Sequence, residues 1–179
     1  MKLCFRKIFS ANFAPFLHLL KMSKLSLPAF SPRIKEIKGK HYIFDASRQK
    51  FVAITPEEWV RQHFVNYLVA YRGYPQSLVA NEVSIRLNNT EKRCDTVVYD
   101  RYLRPLAIAE YKAPHVELTQ SVFEQVARYN MVLHVPFLML SNGLRHICCR
   151  VDYTEGRYHF LEEIPTYEVL EGAGEQAKK

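Results

Sequence analysis

Apolar residues recur in this chain with two different periods, and the switches between them mark its elements. From Ile34 to Ile54 the sequence alternates in period two and breaks at Gly39 and again at Ser47-Arg48, which predicts short antiparallel strands forming an N-terminal β-hairpin. Thr55-Pro56-Glu57-Glu58 then offers a capping threonine, a proline at the first helical position and a glutamate three residues after the cap. Val60, Phe64, Tyr67, Leu68 and Tyr71 follow at helical spacing, so a helix is expected over residues 56–72 and ends at Gly73. Three strands are expected next, over 78–87, 93–99 and 105–112, separated by the turn segments NNTEK and DRYLR. The third is continuously apolar before its polar end, as a strand covered on both faces would be, and so belongs at the centre of a sheet.

A second helix is expected over about 119–133, with Val122, Val126, Tyr129 and Leu133 on one stripe. The run FLMLSNGLRHICCRV reads as two strands around an Asn142-Gly143 turn, and RYHFLEEI adds an edge strand. The N-terminal end, from Met22 to Arg33 with Pro28 and Pro32, reads as an extended arm, and EGAGEQAKK, residues 171–179, as a disordered tail. The order helix, three strands, helix, strands describes an α/β (α+β) chain with a mixed β-sheet flanked by helices. Residues 25–170 are expected to form a single domain.

Composition changes this picture little. The 179 residues are 48% hydrophobic, enough for a proper core. The net charge of +7 includes Lys2, Arg6, Lys7 and Lys21 in a stretch with no acid, so residues 22–179 carry only +3. That excess permits a polyanionic partner without arguing for one. Cys4, Cys94, Cys148 and Cys149 form no C-x-x-C pair and read as reduced thiols, which with the lack of any membrane-spanning run places the protein in the cytoplasm. Residues 1–24 are expected to be a disordered leader or the product of a mis-assigned start, with Met22 competing with Met1 as the first residue.

The chemistry gathers around residues 93–114. Residues two apart on a strand share a face, so Glu110 and Lys112 project together. A short connection from Asp100 to Arg104 brings the preceding strand back alongside, which sets Asp95 beside Glu110. Two converging carboxylates repel each other unless a cation lies between them, and an all-oxygen ligand set favours a hard divalent ion, with the backbone carbonyl of Tyr111 as a third ligand. Mg²⁺ or Mn²⁺ held there would serve phosphodiester hydrolysis. Lys112 would orient or deprotonate water, or stabilise developing charge. Taken alone, Glu110 and Lys112 are equally an ordinary ion pair at a strand end.

Asp95 followed by Glu110-x-Lys112 at the end of an apolar strand, within the order αβββαβ, resembles the PD-(D/E)XK nuclease superfamily, and Gln125-Val126-Ala127-Arg128-Tyr129 matches the Gln-x-x-x-Tyr element of a subset of it. TPEEWVRQHFVNYLV, EYKAP, EQVARYN and LMLSNG resemble the N-terminal nuclease domain of type I restriction enzyme R subunits and its stand-alone relatives, over roughly residues 40–150. The resemblance implies a restriction-endonuclease-like core, metal binding by Asp95 and Glu110, catalytic assistance from Lys112, and a site-holding or DNA-contacting role for Gln125 and Tyr129. It also implies DNA as substrate and other restriction-system subunits as partners. Cys94 stands where the superfamily name has proline, and no phosphate-cradling Gly-rich loop for ATP is present.

Glu58 is accounted for by capping and is a candidate additional ligand, and Glu82 on the first sheet strand is similarly placed. Arg61 and Arg72, with Arg93, Arg101 and Arg104, are candidate phosphate contacts, while most of them read first as solvated surface. A nuclease-fold module that binds nucleic acid or assembles with partners without cutting is the alternative reading, and a structural protein whose charges are only surface pairs is a third.

Overall fold

The computed structural model describes residues 24–87 and 89–176; the expected leader and the final three residues of the expected tail lie outside them, save Lys24. Three strands come first: β1 (Ile34–Ile37), β2 (Lys40–Asp45) and β3 (Lys50–Ala53) form an antiparallel sheet in chain order, one strand more than a hairpin. Helix α1 (Pro56–Tyr71) follows, and its start obeys the sequence signal: Thr55 is extended, and its side chain accepts from the Glu58 N–H at 3.0 Å. Its end is closed by the N–H groups of Arg72 and Tyr74, both donating to the Leu68 carbonyl, with Gly73 between them at φ +74°.

The main sheet has six strands in sequential order: β4 (Val79–Leu87), β5 (Thr90–Tyr99), β6 (Pro105–Tyr111), β7 (Phe137–Ser141), β8 (His146–Asp152) and β9 (Arg157–Leu161). All neighbours are antiparallel except β6 and β7, which are parallel because α2 (Gln120–Leu133) crosses over between them. The sheet is therefore mixed, with β6 and β7 near its centre and almost wholly buried, as the unbroken apolar run predicts. β5 starts earlier than expected because Leu87 pairs directly with Thr90, which shortens the NNTEK turn to a tight connection. The β5–β6 turn is held by Asp100, whose Oδ1 accepts from the N–H groups of Tyr102 and Arg104 at 2.8 Å each.

The two faces of the sheet bury separate cores. On one side Val60, Phe64 and Leu68 of α1 pack on Ala107, Ala109, Tyr111 and Met139; on the other, Phe123 and Val126 of α2 pack on Val97, Ile108, Leu138 and Leu140. The expected tail from residue 171 needs correction, since a helix, α3 (Tyr167–Gln176), runs through it. Tyr167, Leu170 and Gly174 lie on one face of that helix, with Leu170 fully buried. Gly174 comes so close to the core that a Cβ there would meet Leu106 at 2.6 Å. β9 is an edge strand, exposed along its length. No described helix is long and apolar enough to cross a membrane.

The N-terminal arm lies across the β7–β8 turn, where the Ser26 N–H donates to the Gly143 carbonyl at 2.8 Å. Gly143 has φ +80°, and a Cβ there would lie 2.6 Å from Leu25 and 3.1 Å from Val60. Gly143→Ala is therefore expected to lower stability by about 1–3 kcal/mol, measured as a drop in the midpoint of urea unfolding, since it combines left-handed strain with overpacking.

Candidate functional site

The site forms where β5 leaves β6. The two strands pair from Tyr99–Pro105 to Thr96–Ala109, and one residue further the backbone ladder gives way to a side chain: the Tyr111 N–H donates to Oδ2 of Asp95 at 2.9 Å. That bond fixes the Asp95 carboxylate at the C-terminal end of β6, next to Glu110. Glu110 faces α2, whose Gln125 Nε2 donates to its Oε1 at 2.8 Å. Lys112 Nζ donates to the same oxygen at 3.1 Å and to the Gln125 Oε1 at 3.3 Å. Gln125 also donates to the Tyr129 hydroxyl, one helical turn on, at 3.1 Å. Asp95, Glu110 and Lys112 are thus brought together as the strand spacing predicts, and Gln125 and Tyr129 join them as the resemblance implies. The Lys112 N–H, donating to the Ser141 carbonyl at 3.0 Å, holds this strand end against β7.

Glu110 is buried, and its second oxygen, Oε2, has no hydrogen-bond partner. Burial, and then the charge of Asp95, push its pKa up to about 7 against the pull of Lys112 and Arg61. A buried carboxylate oxygen without a partner is costly, and such exceptions call for an explanation.

On the other side of Asp95 stands Arg61. Its Nη2 donates to Asp95 Oδ1 at 2.6 Å, and its Nη1 lies 2.7 Å from Glu58 Oε2 and 2.6 Å from Glu82 Oε1. Burial works against its charge, but Asp95, Glu58 and Glu82 outweigh that and raise its pKa further. Glu82 reaches this position with φ +60° in the middle of β4, between the Asn81–Thr96 and Val83–Cys94 pairs and in a conformation costly for a residue with a side chain. Glu58 completes only half of the expected capping box: its N–H bonds Thr55, while its carboxylate turns to Arg61, to Gln62 at 2.8 Å and to Arg48 at 2.8 Å.

The remaining arginines singled out as candidate phosphate contacts are each ion-paired within the chain. Arg72 pairs with Glu163, Arg93 with Glu82, Arg101 with Glu171 and Arg104 with Asp100. Sequence reasoning missed Arg48, which joins Asp45 to Glu58, and the buried chain beneath the site. In that chain the Tyr111 hydroxyl donates to Thr96 Oγ1 at 3.1 Å, Thr96 to Asn81 Oδ1 at 2.7 Å, and Asn81 Nδ2 to Asp45 Oδ2 at 2.9 Å. The only sequence signal for these would have been polar residues within apolar strands.

The donor set fits a hard divalent cation. The partnerless Oε2 of Glu110 and the largely buried carboxylate of Asp95 offer oxygens of the kind such an ion takes, and like charges so close favour a cation between them.

A mixed sheet flanked by helices, with this cluster where β5 and β6 part, agrees with the restriction-endonuclease-like core that the resemblance implies. The family described as Type I restriction enzyme R protein N terminus (HSDR_N) matches residues 56–165, well over half of the chain, and the chain belongs to that family. It is similar to the fragment structure of a protein described as a candidate HsdR subunit of a type I restriction enzyme from Vibrio vulnificus YJ016, at 20% identity and TM-score 0.46, over 65% of this chain and 26% of that one. The chain thus spans about a quarter of that longer chain. It is also similar to a candidate nuclease of DUF820 from Anabaena variabilis ATCC 29413, at 13% identity and TM-score 0.42, over 82% of this chain and 88% of that one. No curated protein matches the chain.

Two outcomes follow from the geometry. Because the folded-state pKa of Glu110 is raised to about 7, the folded protein holds that proton more tightly than the unfolded chain does. Its contribution is therefore fully present below the unfolded-state pKa of about 4.3 and is lost as pH rises through about 7. In chelator, Glu110→Gln is expected to gain stability over the wild type as pH rises through that window, read as the difference in melting temperature between pH 4.5 and pH 8. Arg61→Met leaves three carboxylates facing one another and is expected to lower unfolding free energy by about 3 kcal/mol or more, measured by urea denaturation.

Proposed function

We propose that this chain is a divalent-metal-dependent DNA endonuclease domain that hydrolyses phosphodiester bonds and works in the cytoplasm with other restriction-system subunits. The observation that carries the reading is the buried, partnerless Oε2 of Glu110 beside Asp95, with the Lys112 ammonium 3.1 Å from the other oxygen of the same carboxylate. Nuclease-type hydrolysis is supported by family membership, while DNA, Mg²⁺ and the assignment of residues 25–170 to a single nuclease-like domain go beyond it.

Asp95, Glu110 and the carbonyl of Tyr111 would hold Mg²⁺ or Mn²⁺, which when bound supplies Lewis acidity at phosphorus and lowers the pKa of water. The protein's own groups do the rest. Asp95 is held by the Tyr111 N–H, so its carboxylate cannot swing away from Glu110. Gln125 bonds Glu110, Lys112 and Tyr129 at once and so sets both the carboxylate and the ammonium. Lys112 as the ammonium would orient water or stabilise the negative charge that builds on the phosphate, and only as the neutral amine, its own proton given up first, would it take a proton from water. Glu58, through Arg61 and Arg48, balances charge around Asp95.

A second reading, a nuclease-fold module that binds nucleic acid or assembles without cutting, is favoured by one observation: the Arg61 guanidinium is already bonded to Asp95 Oδ1.

Supercoiled plasmid incubated with the protein in Mg²⁺ or Mn²⁺ is expected to be nicked or cut, and chelator to stop the reaction. Asp95→Asn, Glu110→Gln and Lys112→Met are each expected to lower the rate by about 100-fold or more. Equal cutting by wild type and all three variants would overturn the proposal; plasmid retarded on a gel but never cut would establish the second reading.

A further inference from the structure

The N-terminal sheet has one face toward the acidic cluster and one away from it. The register pairs Ile34 with Ile43, Ile43 with Val52 and Asp45 with Lys50, so these residues share a face, and Ile43 and Asp45 show which way it points, both being buried. Asp45 bonds Asn81 of β4 from that side, and Arg48, in the β2–β3 turn, bonds Glu58. The sheet is therefore tied directly to the network that holds Asp95.

The opposite face has a different chemistry. It carries Lys35, Tyr42, Lys40, Phe44 and Phe51, with Arg33 just before β1 packed onto it, and no acid among its described residues. The Arg33 guanidinium carbon lies 4.3 Å from the centre of the Phe44 ring and 5.9 Å from that of Phe51, and Lys35 Nζ lies 4.0 Å from the Phe51 centre. Arg33, Lys35 and Lys40 are exposed, and none has a carboxylate partner among the described residues, in contrast to the ion-paired Arg48, Arg61 and Arg93. The rings hold two of these cations at fixed places above the sheet.

We propose that this face of the β1–β2–β3 sheet is a docking surface for the phosphate backbone of duplex DNA, outside the segment that the family match covers. Charge complementarity argues for a polyanion, and the rings decide its form. Single strands bind by stacking bases on open aromatic faces, but here Arg33 and Lys35 cover Phe44 and Phe51, which leaves cations to meet phosphates and Tyr42 alone of the three rings uncovered. The inference rests on the DNA-cleaving reading for the identity of the polyanion. It adds a contact that positions the duplex through a sheet anchored to Glu58 by Arg48.

The test is fluorescence anisotropy with a labelled duplex of arbitrary sequence, in chelator, across a series of KCl concentrations. Arg33→Gln/Lys35→Gln/Lys40→Gln is expected to reduce the slope of log affinity against log salt by about 2–3 and to weaken binding about tenfold or more near physiological salt. A control pair, Arg86→Gln/Lys92→Gln on the β4–β5 hairpin, is expected to change the slope by less. In the wild-type chain, acetylation of Lys35 and Lys40 is expected to slow when duplex is added while that of Lys92 does not, a measurement that needs no variant to fold. An unchanged slope in the triple variant, an equal loss in the control pair, unprotected Lys35 and Lys40, or tighter binding of a single strand through the same residues would each overturn the docking surface. Plasmid cleavage by wild type alongside any of those results would leave the nuclease reading standing; no duplex binding at all would sink both.

Discussion

The arrangement depends on one constraint: several carboxylates from separate elements are packed close together and must be neutralised from within. Glu58 comes from α1, Glu82 from β4, Asp95 from β5 and Glu110 from β6, and the cations that answer them, Arg48, Arg61 and Lys112, come from a turn, a helix and a strand end. Partly desolvated charges hold together only when geometry and further hydrogen bonds are good, and here nearly every oxygen has a donor. The exceptions are informative. Among the described residues, Oε2 of Glu110 and Nε of Arg61 are the buried side-chain atoms of the cluster without partners.

The fold supplies that geometry by ordinary means. The central strand β6 is apolar on both faces until its last residues, so the sheet interior ends where the charges begin. Tyr111 marks the border: its ring is buried against Phe64 and bonded to Thr96, while its N–H faces the carboxylate of Asp95. One residue thus couples the core beneath α1 to the charged rim, and burial pushes its hydroxyl pKa upward, so that it stays neutral. α2 is anchored by Phe123 and Val126 on the opposite core, which puts Gln125 and Tyr129 over Glu110.

Much of this was legible in the amino-acid order, for identifiable reasons. Asp95, Glu110 and Lys112 could be placed together because strand alternation and a short turn leave few alternatives; a helical turn sets Gln125 beside Tyr129, and only the resemblance joins those two to the carboxylates. The contacts of Arg61 are only partly legible. Glu58 stands three residues before it on the same helix, a local spacing, but Glu82 and Asp95 approach from two strands, and no local pattern encodes that convergence. Glu58 was read as a cap because the local signal is genuine, yet its side chain answers to Arg48 from a different sheet. The helix over the final segment escaped notice because two glycines argue locally for disorder; only the press of Gly174 onto Leu106 explains why a small residue suits that place.

The single parallel step in the main sheet has a consequence of its own. β6 and β7 cannot meet through a tight turn, so the stretch between them must form α2 and swing over the sheet before Lys112 can bond Ser141 and Gln125 can reach Glu110. Contacts that close such long excursions come late in folding, after local hairpins have formed. A nascent or half-unfolded chain therefore exposes the acids and the lysine as separate, solvated charges. The complete constellation exists only in molecules that have finished folding, and chemistry of this kind is withheld from any chain that has not.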